Sequence, residues 1–342
     1  MLAAVYYNNQ DVRIEEMPIP KIGEDEALLK VMASGICGSD VIEWYRVPKA
    51  PRVLGHEATG VISKVGANVK DLKVGDRVFV SHHVPCYQCR YCERGNHTAC
   101  HVLHTTNYFP GGFAQYVRVP KINVEFGTYK LPDAMSFEEG TFIEPLACVL
   151  RGQRLANLQK DDTLLIIGSG ISGILHAQLA KYKGVQNIVV ADINPYRLEL
   201  AKKFGATHLL NANKDLPQKL KEANDGRLAD QVVVCTGATS AAMLALDCVE
   251  SGGTILFFAV PDPTVKLSVP INQFWRNEIT MRTSYGAAPN DLEDSMKVLT
   301  TDKLNVKDMI THRLSLREAQ EGFRLMTEAG QSLKVILEPN RA

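Results

Sequence analysis

The chain has 342 residues, 45% apolar and 22% charged, ordinary values for a soluble globular protein but too long for one simple core, so two domains are expected. Lys plus Arg and Asp plus Glu balance at 38 each, which leaves no basic surplus to favour nucleic acid or an anionic membrane as partner. The N-terminal MLAAVYYNNQDVRIEEMPIP has no basic region leading into a long apolar run, and the longest apolar run, TLLIIGSGISGILHAQLA, is broken by glycines and carries His176 and Gln178. Neither a secretory signal nor a membrane span is expected, so the chain reads as cytoplasmic, with reduced thiols.

As far as about position 130, short β-branched runs such as EALLKVMASG, EATGVISKVGANV and VGDRVFV are separated by Gly and Asp turns. That pattern suits an antiparallel barrel-like or sandwich domain. Within it, VPCYQCRYCERGNHTAC places Cys86, Cys89, Cys92 and Cys100 at C-x2-C-x2-C-x7-C spacing. Four thiolates from one loop make the closed tetrahedral set of a structural Zn²⁺. An iron–sulfur cluster is the rival, since C-x2-C-x2-C also begins a ferredoxin run, but the fourth spacing is wrong and no proline follows Cys100. Redox or unmetallated thiols are the third reading.

After TFIEPLACVLRGQRLA, read as a helix with Pro145 at its first position, strands and helices alternate. TLLIIG, NIVVAD, QVVVCTG and TILFFAV read as strands, separated by the helical stretches ISGILHAQLAKYKG, PYRLELAKKFGA and SAAMLALDCVESGG. Alternation of this kind makes βαβ units and a parallel sheet. The first of these strands runs into Gly168-Ser169-Gly170-Ile171-Ser172-Gly173, a complete GxGxxG. Gly168 permits the turn, Gly170 admits a pyrophosphate close to the backbone, and Gly173 lets helix and strand pack closely. The N–H groups at the helix start around Ile171 and Ser172 then face the phosphates.

Asp192 ends the next strand, 19 residues after Gly173. A carboxylate there accepts from both ribose hydroxyls and repels a 2′-phosphate, so NAD is expected. Arg197, five residues on, suits either a phosphate or the face of the adenine. In the closing segment, Ser315 and Glu318 form a capping box and Gly330 is placed to end the helix before a last strand. This segment is expected to pack back on the first domain. The expected division is 1–144, including a lobe at 86–100, then 145–286, then 287–342.

The motifs GICGSD, LGHEATGVI, VGDRVFV, the cysteine lobe, GGFAQYVRVP, FIEPLACVL, GSGISG and KVIL, in this order, resemble the zinc-dependent medium-chain alcohol dehydrogenases. The resemblance runs nearly end to end. Its nearest branch is that of the polyol (sorbitol-like) and threonine dehydrogenases, as in LPDAMSFEEGTFIEPLA and VKDMITHRLSL. It implies a GroES-like catalytic domain joined to a Rossmann domain, and an alcohol oxidised with NAD. Two Zn²⁺ per chain are implied, one structural and one catalytic, as is a homo-oligomer, tetrameric in the family.

Carried over by residue, the resemblance assigns Cys37, His56 and Glu57 to the catalytic zinc, with Glu144 binding it directly or through its water. Ser39 takes the place of the family's relay hydroxyl. Thr236, Val260 and Ser284 join the glycine loop, Asp192 and Arg197 at the nucleotide. Ile42 stands where many relatives carry a relay histidine. Glu43 and Ser284 fall where sorbitol-type relatives have a tyrosine and an arginine against the polyol, and Tyr285 is retained; Glu43 and Tyr285 are therefore the expected substrate contacts. The alternatives are a threonine 3-dehydrogenase with Glu43 holding an ammonium, and a sugar-alcohol-phosphate dehydrogenase with Arg46, Lys49 or Arg52 holding a phosphate. From another class comes a non-catalytic NAD-binding zinc protein, against which all the catalytic ligands are present.

Overall fold

The computed structural model describes residues 1–301 and 303–341. The chain divides into two compact units, one comprising Met1–Ala147, Ala287–Asp302 and Val306–Ala342, the other Cys148–Gly286 and Lys303–Asn305.

In the first unit, the strand Ala27–Gly35 is the hub. It pairs antiparallel with Glu57–Val65, with Tyr116–Val119 and, at its C-terminal end, with Lys334–Glu338. The sheet extends through Arg77–Ser81 to Thr128–Lys130 on one side and to Ile310–Ser315 on the other, seven strands in all. Leu2–Asn8 forms a second, three-stranded sheet with Asp11–Glu16 and Arg52–Val53. The pairing is not antiparallel throughout: Ile310–Ser315 lies parallel to Lys334–Glu338, and the helix Ala319–Glu328 makes the crossover that parallel neighbours require.

That helix brings Phe323 into the core, fully buried, with its ring 5.4 Å from Tyr6 and 5.9 Å from Phe113. A Phe→Ala change at such a site typically costs about 3–5 kcal/mol. Ser315 and Glu318 do cap this region, the carboxylate accepting from Ser315 N at 2.8 Å and Oγ at 2.7 Å, although a 3-10 turn, Leu316–Glu318, precedes the helix proper. The helix ends on Ala329, at φ 51°, not on Gly330. Pro145 likewise stands third in its helix, Ile143–Leu155, and not first. Proline is tolerated there because the N–H groups of a first turn have no intrahelical acceptor to lose.

The second unit is a parallel six-stranded sheet. Its strands lie in the spatial order His208–Asn211, Asn187–Asp192, Thr163–Ile167, Ala229–Val234, Val249–Phe257, Thr280–Thr283. Successive residues of these strands point to opposite faces. Leu165, Ile167, Val189, Ala191, Val232 and Val234 belong to one core; Leu164, Ile166, Ile188, Val190 and Val233 belong to another. A sheet buried on both faces explains why these strands read as unbroken apolar runs. The order reverses between Thr163–Ile167 and Ala229–Val234, the switch point at which such sheets bind ligands. Among the described residues no helix is long and apolar enough to cross a membrane.

Candidate active site

In the first unit, Cys37 follows the end of the hub strand and His56 precedes its partner Glu57–Val65. The register Gly35↔Glu57 therefore brings the two loops together. A sulfur of Cys37, a ring nitrogen of His56 and a carboxylate oxygen of Glu57 lie within 4.8 Å of one another. One thiolate, one imidazole and one carboxylate form a donor set that leaves a fourth position open, as catalytic Zn²⁺ needs.

The surroundings fix each donor. Asp40 is fully buried; its Oδ1 lies 3.4 Å from His56 Nδ1 and 3.1 Å from Arg46 Nη2, and its Oδ2 accepts from Cys37 N at 3.1 Å. Burial opposes charge on Asp40, but the His56 ring, the Arg46 guanidinium and the Cys37 N–H outweigh it and hold the carboxyl below its usual range. Such a carboxylate sets the orientation of a metal-binding imidazole. Glu57, 1% exposed, accepts at Oε2 from Lys334 Nζ, a fully buried ammonium; its Oε1 has no hydrogen-bond partner among the described residues. A buried, unpartnered carboxylate oxygen beside a thiol and an imidazole fits a cation.

Glu144 is buried and, with Asp40 and Glu57, acts on the Tyr108 hydroxyl, but it is not in the tight donor group. Ser39 Oγ accepts from Arg46 Nη2 at 3.0 Å while Arg46 Nε binds Ser39 O at 2.9 Å. Arg46 is thus committed to the metal loop. Lys49 stacks on Tyr45 at 4.0 Å. Glu43 is exposed and accepts from Asn9 N at 3.1 Å, so its carboxylate is directed to the first hairpin.

The four lobe thiols also converge within 4.8 Å, with Cys89–Cys92 and Cys86–Cys100 sulfurs 3.6 Å apart. Tetrahedral Zn–S bonds of ~2.3 Å imply S···S separations of about 3.8 Å. The fit is good. All four are free thiols. Burial disfavours the Cys100 thiolate, yet the N–H groups of Cys86 and Leu103 bring its pKa down to about 6.

In the second unit, most of the residues expected at the nucleotide lie at or just beyond the C-terminal ends of parallel strands. Gly168, Asp192, Thr236, Val260, Ser284 and Tyr285 therefore share one edge of the sheet. Gly168 takes φ 99° and donates to Ala191 O at 2.8 Å. A Cβ on Gly173 would collide with Gly168 O, so only glycine lets the helix start this close to the strand. Gly170 caps the helix that Ile171, Ser172 and Gly173 begin, a 12-residue helix whose free N–H groups suit a pyrophosphate.

Asp192 is 8% exposed; Oδ2 accepts from Ser169 N at 2.6 Å and Oγ at 2.8 Å, and Oδ1 from Asn194 N at 2.8 Å. Two carboxylate oxygens have about four acceptor sites, of which three are taken, so about one remains for a ribose hydroxyl. Arg197 reaches over the loop, its Nη1 3.7 Å from where a Cβ of Gly170 would stand, with Nε buried and without a hydrogen-bond partner among the described residues. Thr236 Oγ1 accepts from Ala238 N at 3.3 Å and Ser284 Oγ from Arg151 Nη1 at 3.2 Å; Val260 is 54% and Tyr285 46% exposed. A nucleotide fits this edge.

Two residues were missed in the sequence. Lys334 is a cation inside the apolar KVIL run, and that misfit is its signal. Asp40 sits inside GICGSD, beside Cys37 and Ser39, and no spacing in that motif sets an aspartate apart as a partner for His56.

Residues 23–133 match the model of the alcohol dehydrogenase GroES-like domain, and residues 172–301 that of the zinc-binding dehydrogenase family. The chain is similar to sorbitol dehydrogenase of Bacillus subtilis, 34% identical over 100% of this chain and 98% of that one. It is equally similar to sorbitol dehydrogenase of Mus musculus, 34% identical over 99% and 96%. Its fold superposes on the crystal structure of galactitol-1-phosphate dehydrogenase from Escherichia coli with a TM-score of 0.88, at 29% identity over 99% and 100% of the two chains.

Proposed function

Because the chain belongs to the zinc-dependent medium-chain alcohol dehydrogenases, in their polyol branch, we propose that it oxidises a secondary hydroxyl of a small polyhydroxy compound to the ketone with NAD. The observation that carries this reading is the three-donor group of Cys37, His56 and Glu57 with one carboxylate oxygen unpartnered. When bound, zinc supplies a Lewis acid that favours the ionised substrate oxygen, and NAD supplies the hydride acceptor.

Cys37, His56 and Glu57 would hold the catalytic ion, with Glu144 close by; Cys86, Cys89, Cys92 and Cys100 would hold the structural one. Asp40 engages His56 Nδ1, which would leave the other ring nitrogen for the ion. Arg46 donates to Ser39 Oγ, which leaves the hydroxyl its own hydrogen and one lone pair to offer the substrate. Ile42 carries no titratable group, so no imidazole follows Ser39 in a relay, and the proton leaves through water or Glu144. Gly168, Gly170, Ile171, Ser172, Gly173, Asp192, Arg197, Thr236, Val260 and Ser284 would hold NAD, and Tyr285 would approach the substrate.

Two of the groups named for rival substrates already have partners in the fold. The Arg46 guanidinium binds Ser39 and Asp40, which takes it from a phosphate. The Glu43 carboxylate accepts from Asn9 N at the first hairpin, an exposed contact that an ammonium would share or displace. A cytoplasmic homotetramer is the assembly that the family resemblance favours. Initial rates with NAD and sorbitol, xylitol, threonine, a sugar-alcohol phosphate and 2-butanol test the reading: the polyols should give the highest kcat/KM. A plain alkyl alcohol as best substrate would overturn it.

A further inference from the structure

The helix Ile171–Tyr182 starts at the glycine loop and runs away from the nucleotide edge of the second unit. Its 12 residues, at roughly 1.5 Å each, put about 18 Å between its two ends. The helix Pro195–Lys203 follows the next strand of the parallel sheet and runs the same way. A cavity of about 340 Å³ opens where the two helices end. Lys181 and Tyr182 come to it from the first helix, Lys203 and Phe204 from the end of the second. Lys303 and Asn305 come from the short stretch Lys303–Asn305, which belongs to this unit.

Three lysines thus border one cavity, and no aspartate or glutamate is among the described residues that line it. The helix dipole accounts for two of them, since Lys181 and Lys203 stand in the last turns of their helices, where a cation is favoured. It does not account for Lys303, which belongs to no helix. Side-chain contacts hold that stretch in place. Asn305 N donates to Gln178 Oε1 at 2.8 Å, Asn305 O accepts from Gln178 Nε2 at 3.3 Å, and Gln178 is 6% exposed. Lys303 Nζ then lies 5.7 Å from the Tyr182 ring centre, and Lys203 Nζ 5.4 Å from that of Phe204, within the range of cation–π attraction. The stem of Lys181 crosses Gly205, at φ 117°, where a Cβ would stand 2.9 Å from Lys181 Cδ. Glycine there leaves the lysine its path. Cations gathered around a concave site concentrate anions in it.

We propose that this cavity is a second ligand site, separate from the nucleotide edge, that takes a small anion of two or more negative charges, a polycarboxylate or a phosphate ester. The site goes beyond the oxidation of a polyol with NAD and does not depend on which alcohol is oxidised.

Isothermal titration calorimetry of the zinc-loaded protein tests this, with NADH at saturation to fill the nucleotide edge and tricarballylate and 3-phosphoglycerate as probes. At least one probe should bind saturably, one per chain, and more tightly than acetate; the tighter of the two identifies the kind of anion. Lys303→Gln and Lys203→Gln should each weaken that probe about tenfold, the worth of one charge-assisted hydrogen bond. Lys202→Gln, next in sequence but outside the cavity lining, should leave it within about twofold. All three lysines are exposed, so the variants should keep the wild-type melting temperature. Binding of neither probe above that of acetate would overturn the inference. So would equal losses in Lys202→Gln and Lys303→Gln, which would mark a diffuse effect of charge.

Discussion

Lys334 Nζ pairs with Glu57 Oε2 in the interior of the first unit, 277 positions apart in sequence and both all but inaccessible to solvent. The pair leaves Glu57 Oε1 for a cation. Removing one partner from a buried ion pair typically costs about 3–5 kcal/mol, because the other charge is stranded. In Lys334→Met, Glu57 is stranded only while no metal is bound. The melting temperature of the chelator-treated variant should therefore fall well below that of chelator-treated wild type, and added zinc should restore more of the difference than it does in wild type. Scanning calorimetry of the four samples checks this, and a zinc-independent gap would separate Lys334 from the metal site.

Two donor sets imply two zinc ions per chain. Elemental analysis should find one ion in Cys37→Ser and one in Cys92→Ser, by different routes. The Cys37 change should abolish turnover with little loss of stability. The Cys92 change should lower the melting temperature, because it opens a closed site whose binding energy supports the lobe.

Asp192 holds the glycine loop and, on the proposed reading, would also hold the cofactor. Its carboxylate holds Ser169 and Asn194 and repels a 2′-phosphate. Asp192→Ala should lower kcat/KM with NAD by about tenfold or more, the cost of roughly one charge-assisted hydrogen bond, and narrow the preference for NAD over NADP. Steady-state kinetics with both cofactors measures each effect. An unchanged preference would assign discrimination to Arg197.

His176 is fully buried in the second unit against Phe258, ring centroids 4.7 Å apart. Burial, then the Lys183 charge, push its pKa down to about 3. The unfolded chain takes up this proton near the ordinary value of ~6.5, and the folded chain does not. Stability is therefore complete above that value and declines as pH falls towards 3, by about 2–3 kcal/mol at pH 4.5. Denaturant unfolding between pH 7 and 4.5 should show a smaller decline in His176→Gln than in wild type.

Glu43→Gln should change kcat/KM for diols and for 2-butanol alike, by less than about twofold, since exposed contacts such as Asn9 N–H to Glu43 contribute little. A selective loss on the diol would return Glu43 to the substrate.

What was legible in the sequence is what local rules govern. GSGISG lies between an apolar strand and a helix start, and both its turn and its close approach are fixed by neighbours a few residues away. The cysteine lobe is local in the same sense. What escaped is set by pairing across the fold. No spacing rule joins Lys334 to Glu57; the pair follows from strand register. Glu43 stands where the resemblance places a substrate contact, while the short helix Glu43–Arg46 sets its carboxylate against Asn9 N, a neighbour that no local rule announces. Pro145 and Gly330 misled by one or two positions, since helix-end preferences mark a neighbourhood rather than a residue.

The strand Lys334–Glu338 also bears on how the enzyme matures. Chains are made from the N-terminus, so Cys37, His56 and Glu57 leave the ribosome long before Lys334. Until then the hub strand lacks its neighbour at Gly35 and Ser34, and Glu57 has no counter-ion. The nucleotide unit, nearly continuous in sequence, is complete by contrast while the last strands are still unmade. The donor group of Cys37, His56 and Glu57 thus gains its buried counter-ion only once Lys334 has been made, and a nascent chain stalled before that residue would already hold the whole of the second unit while Glu57 still lacked its partner.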